Sequence, residues 1–266
     1  IVFIEIISPI NATNESRAVI DNFIKLLASN GIEYSVGNAQ RAQSADFIAV
    51  FGGDGTVLSA ALRACEIDAP ILAINTGTIG FLSGVEKEEL SLAVNAIKSG
   101  EYALTERTML SVRVGEDNYT ALNDAVIERD KYVFGSSVIS KLKLSIDGAD
   151  VYSLRSDGVI IATPTGSTAY SLSAGGVVLT PQLNAFIATP ICSHSLTAKP
   201  IVYPDDKTAV VTVLENSSPC LLCIDGRCVK SLSSGDAVIV GKDKKTLKIV
   251  DIKNNFFDKI RNRLGV

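Results

Sequence analysis

Phe51-Gly52-Gly53-Asp54-Gly55-Thr56-Val57-Leu58, FGGDGTVL, follows directly on the apolar run that ends Phe47-Ile48-Ala49-Val50-Phe51. Beyond it Val57, Leu58, Ala61, Leu62 and Cys65 recur at helical spacing. A buried strand, a glycine turn and a helix in that order form the repeating unit of an α/β fold with parallel strands. The residues on either side repeat the unit. Val2 to Ile7 reads as a short strand. Asn14 offers a helix cap, and Val19, Ile20, Phe23, Ile24, Leu26 and Leu27 form an apolar stripe up to Gly31. Ile32 to Val36 and Pro70 to Ile74 read as strands. Glu86 to Lys98 reads as a helix with Leu90, Ala93, Val94 and Ile97 inward, closed by Gly100. The expectation is an α/β N-terminal domain over residues 1–100.

From residue 101 the texture changes. MLSVRV, YTALNDAVIER, KLKLSID, GVIIAT, TAVVTVLE, CLLCID and AVIVG are short and β-rich, with period-two alternation in Leu142-Lys143-Leu144-Ser145-Ile146. Asp147-Gly148, Gly175-Gly176 and Ser234-Gly235 supply turns between them. Residues 101–250 therefore read as an all-β, sandwich-like C-terminal domain. In 251–266 the pattern is helical again: Phe256, Phe257, Ile260 and Leu264 fall opposite Lys259, Arg261 and Arg263. A docked amphipathic helix with a solvated basic face fits better than a membrane-surface helix.

The bulk numbers exclude some functions. Hydrophobic residues make up 47% of the 266, charged residues 20%, and the net charge is −4, so a large core is available and a general nucleic-acid binder is not expected. No apolar run approaches the roughly 20 residues of a membrane span, and IVFIEII lacks the basic lead and cleavage site of a secretory signal. A soluble cytoplasmic protein is the expectation. Five cysteines, Cys65, Cys192, Cys220, Cys223 and Cys228, form no even disulfide framework. The Cys220-x-x-Cys223 spacing with Cys228 hints at zinc but lacks a fourth ligand, so buried thiols are expected. His194 is the single histidine, and no GxSxG elbow accompanies it, which argues against a triad hydrolase.

Four loci could carry chemistry. Gly52, Gly53 and Gly55 let backbone approach a ligand and offer amides to phosphates at a helix start. Neither GxGxxG nor a Gly-Lys-Ser/Thr run is present. Asp54 would repel phosphate oxygens in a plain cradle. It makes sense as an acceptor of a hydroxyl proton or as a partner of a magnesium ion, whereas the plainer reading is a helix-capping turn. Asn75-Thr76-Gly77-Thr78-Ile79-Gly80-Phe81-Leu82 is a second small-residue loop after a strand. Asn123-Asp124 is poor core material and could hold a base or a ribose, or simply form a bulge or turn. In RSDGVIIATPTGSTAYSLSAGG, from residue 155, seven hydroxyl residues crowd between Thr163 and Ser173. They could edge a polar pocket with Tyr170 stacked on a ring, or form a solvent loop.

Taken together, these segments resemble the NAD kinase family. GGDGT at 52–56, Asn123-Asp124, RSDGVIIATPTGSTAYSLSAGG, TPQLNAF at 180–186, HSLTAKPIV at 194–202 and the terminal FFDKIRNRL occur in the family's order across the chain. GGDGT alone is shared with diacylglycerol- and sphingosine-type lipid kinases. The resemblance implies phosphorylation of the 2′-hydroxyl on the adenosine ribose of NAD, with ATP and a divalent metal ion such as magnesium; some members use inorganic polyphosphate. It implies an α/β domain followed by a sandwich-like domain, with the last segment, 251–266, packing back on the N-terminal domain, and a homodimer or homotetramer. By this resemblance Asp54 would accept the hydroxyl proton. Gly52, Gly53 and Gly55 would line the phosphates, and Thr56 the start of the helix. Asn123 and Asp124 would hold the adenosine part, and Thr168, Ala169, Tyr170, Ser171, Leu172 and Ser173 would shape the adenine pocket. Arg155 and Asp157 would reach NAD towards its nicotinamide end and across a subunit interface. In CIDGRCV, Arg227 stands where the family often has an amide, and it would add positive charge near a phosphate. A lipid kinase of the same superfamily and a non-catalytic NAD sensor are the alternatives. The chain shows no exposed apolar entrance segment for the first, and an intact Asp54 argues against the second.

Overall fold

In the computed structural model, which describes residues 2–9, 11–37, 44–77, 80–130, 139–252 and 256–264, the chain forms two units. One is Ile1–Glu106 with Leu247–Val266, and the other is Arg107–Thr246. The first boundary falls inside strand β6 (Ala103–Val114) and the second inside β17 (Ala237–Asp251).

The first unit is built on β1 (Phe3–Ile7), β2 (Glu33–Val36), β3 (Phe47–Phe51), β4 (Ile71–Asn75) and the short β5 (Val85–Glu86). The order β2-β1-β3-β4 is parallel throughout, with Ile4 opposite Phe47 and Phe51 opposite Ile74. The end of β17 adds a further parallel neighbour of β4, Ile249 opposite Ile71. Helices α1 (Asn14–Ser29), α2 (Asp54–Ile67) and α3 (Leu90–Ser99) connect them. Every residue of β3 and β4 is buried, as expected for strands covered on both faces. The core joins Ile4, Ile6, Phe23, Leu27, Phe51, Leu72, Ile74, Val94 and Val250. Helix α5 (Phe256–Leu264) also belongs to this unit, and Lys259 donates to the Phe81 carbonyl at 3.4 Å.

Local signals differ in detail from the sequence reading. Thr13, not Asn14, caps α1, because its hydroxyl accepts from the Ser16 amide at 3.1 Å. Helix α2 begins at Asp54, inside the glycine run, and α3 is entered through a turn of 3₁₀ helix at Lys87–Glu89. Among the described residues no helix is long and apolar enough to cross a membrane.

The second unit is antiparallel. Strands β7 (Asp117–Ala121), β8 (Asp124–Arg129), β9 (Ser140–Ile146), β10 (Ala149–Ser156) and β11 (Gly158–Ala162) are followed by the one-turn helix α4 (Tyr170–Ser173). Strands β12 (Ala185–Ile191), β13 (Ile201–Pro204), β14 (Ala209–Val213), β15 (Cys220–Ile224) and β16 (Arg227–Leu232) complete it. One sheet runs β13-β12-β11-β8-β15-β16. In the other, β14 pairs with both β9 and β17. Their apolar faces share a core that includes Ile127, Leu142, Leu144, Val159, Phe186, Val211, Leu222 and Val238. A second cluster, Val126, Ile160, Ala162, Leu179, Ile187 and Ile191, lies on the alternate residues of β8, β11 and β12. Leu179 brings the 166–180 segment onto that outer face, which is why β11 is buried on both sides. The expected sandwich-like domain is therefore a sandwich with one face covered by a loop.

Candidate active site

Residue 52 must be glycine. Its φ is +151°, and a Cβ there would collide with the Thr56 side chain. The Gly52 amide is spent on the Ile74 carbonyl at 3.0 Å, which ties the turn to the end of β4. Gly53 occupies the cap position of α2 without a side chain to cap with, and Asp54 is the first residue of the helix. The Asp54 carboxylate does not cap its own helix. Its Oδ2 accepts from the Phe81 amide at 3.1 Å and its Oδ1 from the Leu82 amide at 3.0 Å. Gly80 lies so close that a Cβ would strike Asp54 Oδ1. The carboxylate is thus aimed by the loop after β4, at the carboxyl ends of two adjacent parallel strands, where open α/β sheets bind ligands. It remains half-buried, with Gly55 exposed beside it. In the second loop, buried Asn75 donates to Glu86 at 2.9 Å and accepts from the Gly77 amide at 3.0 Å, fixing the loop's entry. Thr78 and Ile79 lie outside the described residues.

In the second unit, TALNDAVIER is two strands, with Leu122 and Asn123 forming the break between β7 and β8. Asp225 builds that break. Its carboxylate accepts from the amides of Leu122 (2.9 Å), Asn123 (2.7 Å) and Asp124 (3.1 Å), while its own amide donates to the Asp124 carbonyl at 3.1 Å. Thr163 holds the other side, with its amide on the Asn123 carbonyl at 2.9 Å and its hydroxyl donating to the Leu122 carbonyl at 2.6 Å. A Cβ on Gly166 would strike the Asn123 backbone, so this approach requires glycine. Asp124 is 4% exposed. Burial, and then the charge of Asp225, push its carboxyl up from 3.8 to about 7. Asp225 is raised by burial and held back by its three amide donors and by Arg227.

The hydroxyl-rich segment divides in two. Thr163, Ser167 and Ser171 are fully buried and bonded internally: Ser167 to the Pro164 carbonyl at 2.6 Å, and Ser171 with Thr189 at 2.9 Å. Thr168, Ala169 and Leu172 are half-buried, and Tyr170 and Ser173 are exposed. Burial raises the Tyr170 phenol, and so, in decreasing order, do Glu128, Cys192, Asp157 and Asp124, so it stays protonated in an acidic neighbourhood. Asp157 pairs with Arg129 at 3.2 Å. Arg155 is exposed on β10, its carbonyl accepting from the His194 amide at 2.9 Å, and Arg227 is exposed beside the Asp225 turn. The structure therefore gathers Asn123, Asp124, Thr163, Gly166 and Asp225 directly, with Tyr170 and Asp157 in the same electrostatic surroundings.

Asp225 is the residue that sequence reasoning missed. Its signal was the Asp225-Gly226 turn pair. The buried-thiol expectation holds for Cys220; Cys65 is a half-buried thiol, Cys192 is exposed, and Cys223 and Cys228 are joined as a disulfide. The two sulfurs face each other because the turn makes them cross-strand partners.

Comparison with known proteins bears on this arrangement. Family models for the ATP-NAD kinase N-terminal and C-terminal domains match residues 9–102 and 122–252. The chain is 40% identical over 231 residues to an NAD kinase of Koribacter versatilis, covering 84% of this chain and 79% of that one. It is 34% identical over 264 residues to an NAD kinase of Methanothermobacter thermautotrophicus, covering 94% and 92%. Among solved structures it resembles yeast NADH kinase complexed with NADH (TM-score 0.86, 25% identity, 99% of this chain and 87% of that). It also resembles an NAD kinase from Archaeoglobus fulgidus in complex with ATP (TM-score 0.79, 25% identity, 99% and 97%).

Proposed function

The chain belongs to the NAD kinase family, and from that premise we propose that it transfers the terminal phosphoryl group of ATP to the 2′-hydroxyl on the adenosine ribose of NAD, giving NADP. The observation that carries this reading is the Asp54 carboxylate, fixed by the Phe81 and Leu82 amides at the carboxyl ends of β3 and β4. Phosphoryl transfer asks the protein for position and charge more than for covalent chemistry. Asp54 orients the ribose hydroxyl and takes its proton as the bond to phosphorus forms. The amides of Gly53 and Gly55, at the start of a 14-residue helix, face the donor's phosphates, while the Thr56 amide is taken by the Gly53 carbonyl at 2.9 Å.

Asn123 and Asp124 hold the adenosine part, and Thr168 to Ser173 shape the adenine pocket around Tyr170. Arg155 and Asp157 reach the nicotinamide end within a homodimer or homotetramer, and exposed Arg227 adds positive charge near a phosphate. Magnesium takes oxygen ligands and comes with the ATP phosphates. Among the described residues the cluster of potential ligands is Glu128 with Cys223 and Cys228, which is no oxygen set, so Asp54 is the carboxylate at hand for an ion held mainly by phosphates. When bound, the ion neutralises charge developing on the transferred group.

The test is Asp54→Asn. NADP formation from NAD, ATP and magnesium, followed by a coupled dehydrogenase assay, should fall by about 10²–10⁴-fold with the circular dichroism spectrum unchanged. An unchanged rate would remove Asp54 from the chemistry.

A further inference from the structure

We propose that Cys223 and Cys228 are a reversible redox clamp on the turn that carries Asp225, so that the hold on Asn123 and Asp124, and with it NAD affinity, follows the thiol state of this pair. The proposal rests on the reading that Asn123 and Asp124 hold the adenosine part of NAD.

The disulfide sits where it can act. Asp225 and Gly226, with φ of +46° and +78°, are the two central residues of a hairpin turn between β15 and β16. Ile224 and Arg227 flank the turn, and Cys223 and Cys228 are the next cross-strand pair. One step beyond, the register shifts between Leu222 and Cys223, so Val229 is an extra residue in β16. The crosslink is therefore confined to the turn end of the hairpin, with a bulge separating it from the regular ladder. Inside the loop it closes, Asp225 takes the left-handed backbone conformation that Asp-Gly hairpin turns favour. From that position its carboxylate takes all three amides of Leu122, Asn123 and Asp124. The neighbouring Asp124 carboxylate is close enough to repel it. Opening the crosslink frees the turn end of the hairpin to move away from the like charge of Asp124.

Access is one-sided. Cys223 is 4% exposed and lies 4.0 Å from the Glu128 carboxylate, whereas Cys228 is exposed. A low-molecular-weight thiolate attacks the Cys228 sulfur, forming a mixed disulfide there, and the Cys223 thiolate leaves and takes a proton. A second thiolate attacks the outer sulfur of the mixed disulfide, releasing the small disulfide and the Cys228 thiolate. Two small thiols are oxidised and one protein disulfide is reduced. The reverse reaction uses the small disulfide as oxidant.

The full chain should be equilibrated across ratios of reduced to oxidised glutathione, with free thiols counted by Ellman titration. Two readouts follow: NAD affinity by calorimetry, which needs no turnover, and hydrogen exchange at the amides of residues 122–124. Reduction should weaken NAD binding by about fivefold or more, the lower end of ordinary coupling between sites, with the KM for NAD rising and kcat changing less. Exchange at 122–124 should quicken in parallel. Cys228→Ser should hold the reduced values at every ratio. A pair that titrates without changing exchange, or that stays reduced even in excess oxidised glutathione, overturns the clamp. Exchange that follows the thiol state while NAD affinity does not would overturn the coupling to NAD through Asn123 and Asp124, leaving the clamp standing.

Discussion

Three aspartates stand at the centre of the proposed chemistry, and their surroundings differ. Asp54 is held by two backbone amides and stays half-buried, the position proposed for the acceptor of the ribose proton. Asp225 is spent on three amides and acts as a positioning residue. Asp124 is buried next to Asp225 and pushed from 3.8 to about 7. The sign of the pH effect follows. Below its ordinary range Asp124 is protonated both folded and unfolded. Between that range and about 7 the unfolded carboxyl ionises while the folded one keeps its proton, so stability falls with rising pH and levels off above about 7. In the proposed role binding runs the other way, because an ionised Asp124 is the better acceptor for ribose hydroxyls. The KM for NAD should fall as pH rises through 7. Asp124→Asn should raise that KM by about tenfold and flatten its pH profile, since a charge-assisted bond is lost. It should also melt without the decline between pH 4 and 7. Steady-state kinetics and melting curves across pH check both.

Strand ends and helix starts set these residues in place. The legible parts were those where one local signal decided the outcome, such as the all-apolar β3, the glycines after it and the stripe of α1. Less legible were elements whose role depends on distant partners. Seven hydroxyl residues between Thr163 and Ser173 read as a pocket edge, yet Thr163, Ser167 and Ser171 face inward and tie their own segment together. A hydroxyl in a sequence does not show whether its partner is a ligand or a carbonyl 41 residues away, as for Thr163 and Leu122. The same ambiguity moved the α1 cap from Asn14 to Thr13, since both residue types cap well. Thr13→Ala removes the acceptor for the Ser16 amide and should destabilise the protein by about 1 kcal/mol, read from chemical denaturation midpoints. Thr13→Asn should restore most of it.

At the scale of the molecule, the first unit is assembled from both ends of the chain, Ile1–Glu106 and Leu247–Val266. Leu247, Ile249 and Val250 are buried there, so a chain ending at Thr246 loses three core side chains and the parallel neighbour of β4. At about 1.5–3 kcal/mol for each buried aliphatic side chain, this removes a large part of a typical margin of about 5–15 kcal/mol, and the truncated protein should be insoluble or melt well below the full chain. Soluble expression with an unchanged melting temperature would contradict that. The sequence by itself determined the α/β-then-β order, the GGDGT turn and the family motifs, because hydrophobic period and glycine conformation are local properties. Only the tertiary structure decided that Asp54 is aimed by Phe81 and Leu82, that Asp225 shapes the Asn123–Asp124 break, and that Cys223 meets Cys228. Each of these depends on which backbone groups are brought within hydrogen-bond or covalent reach, and folding sets those distances.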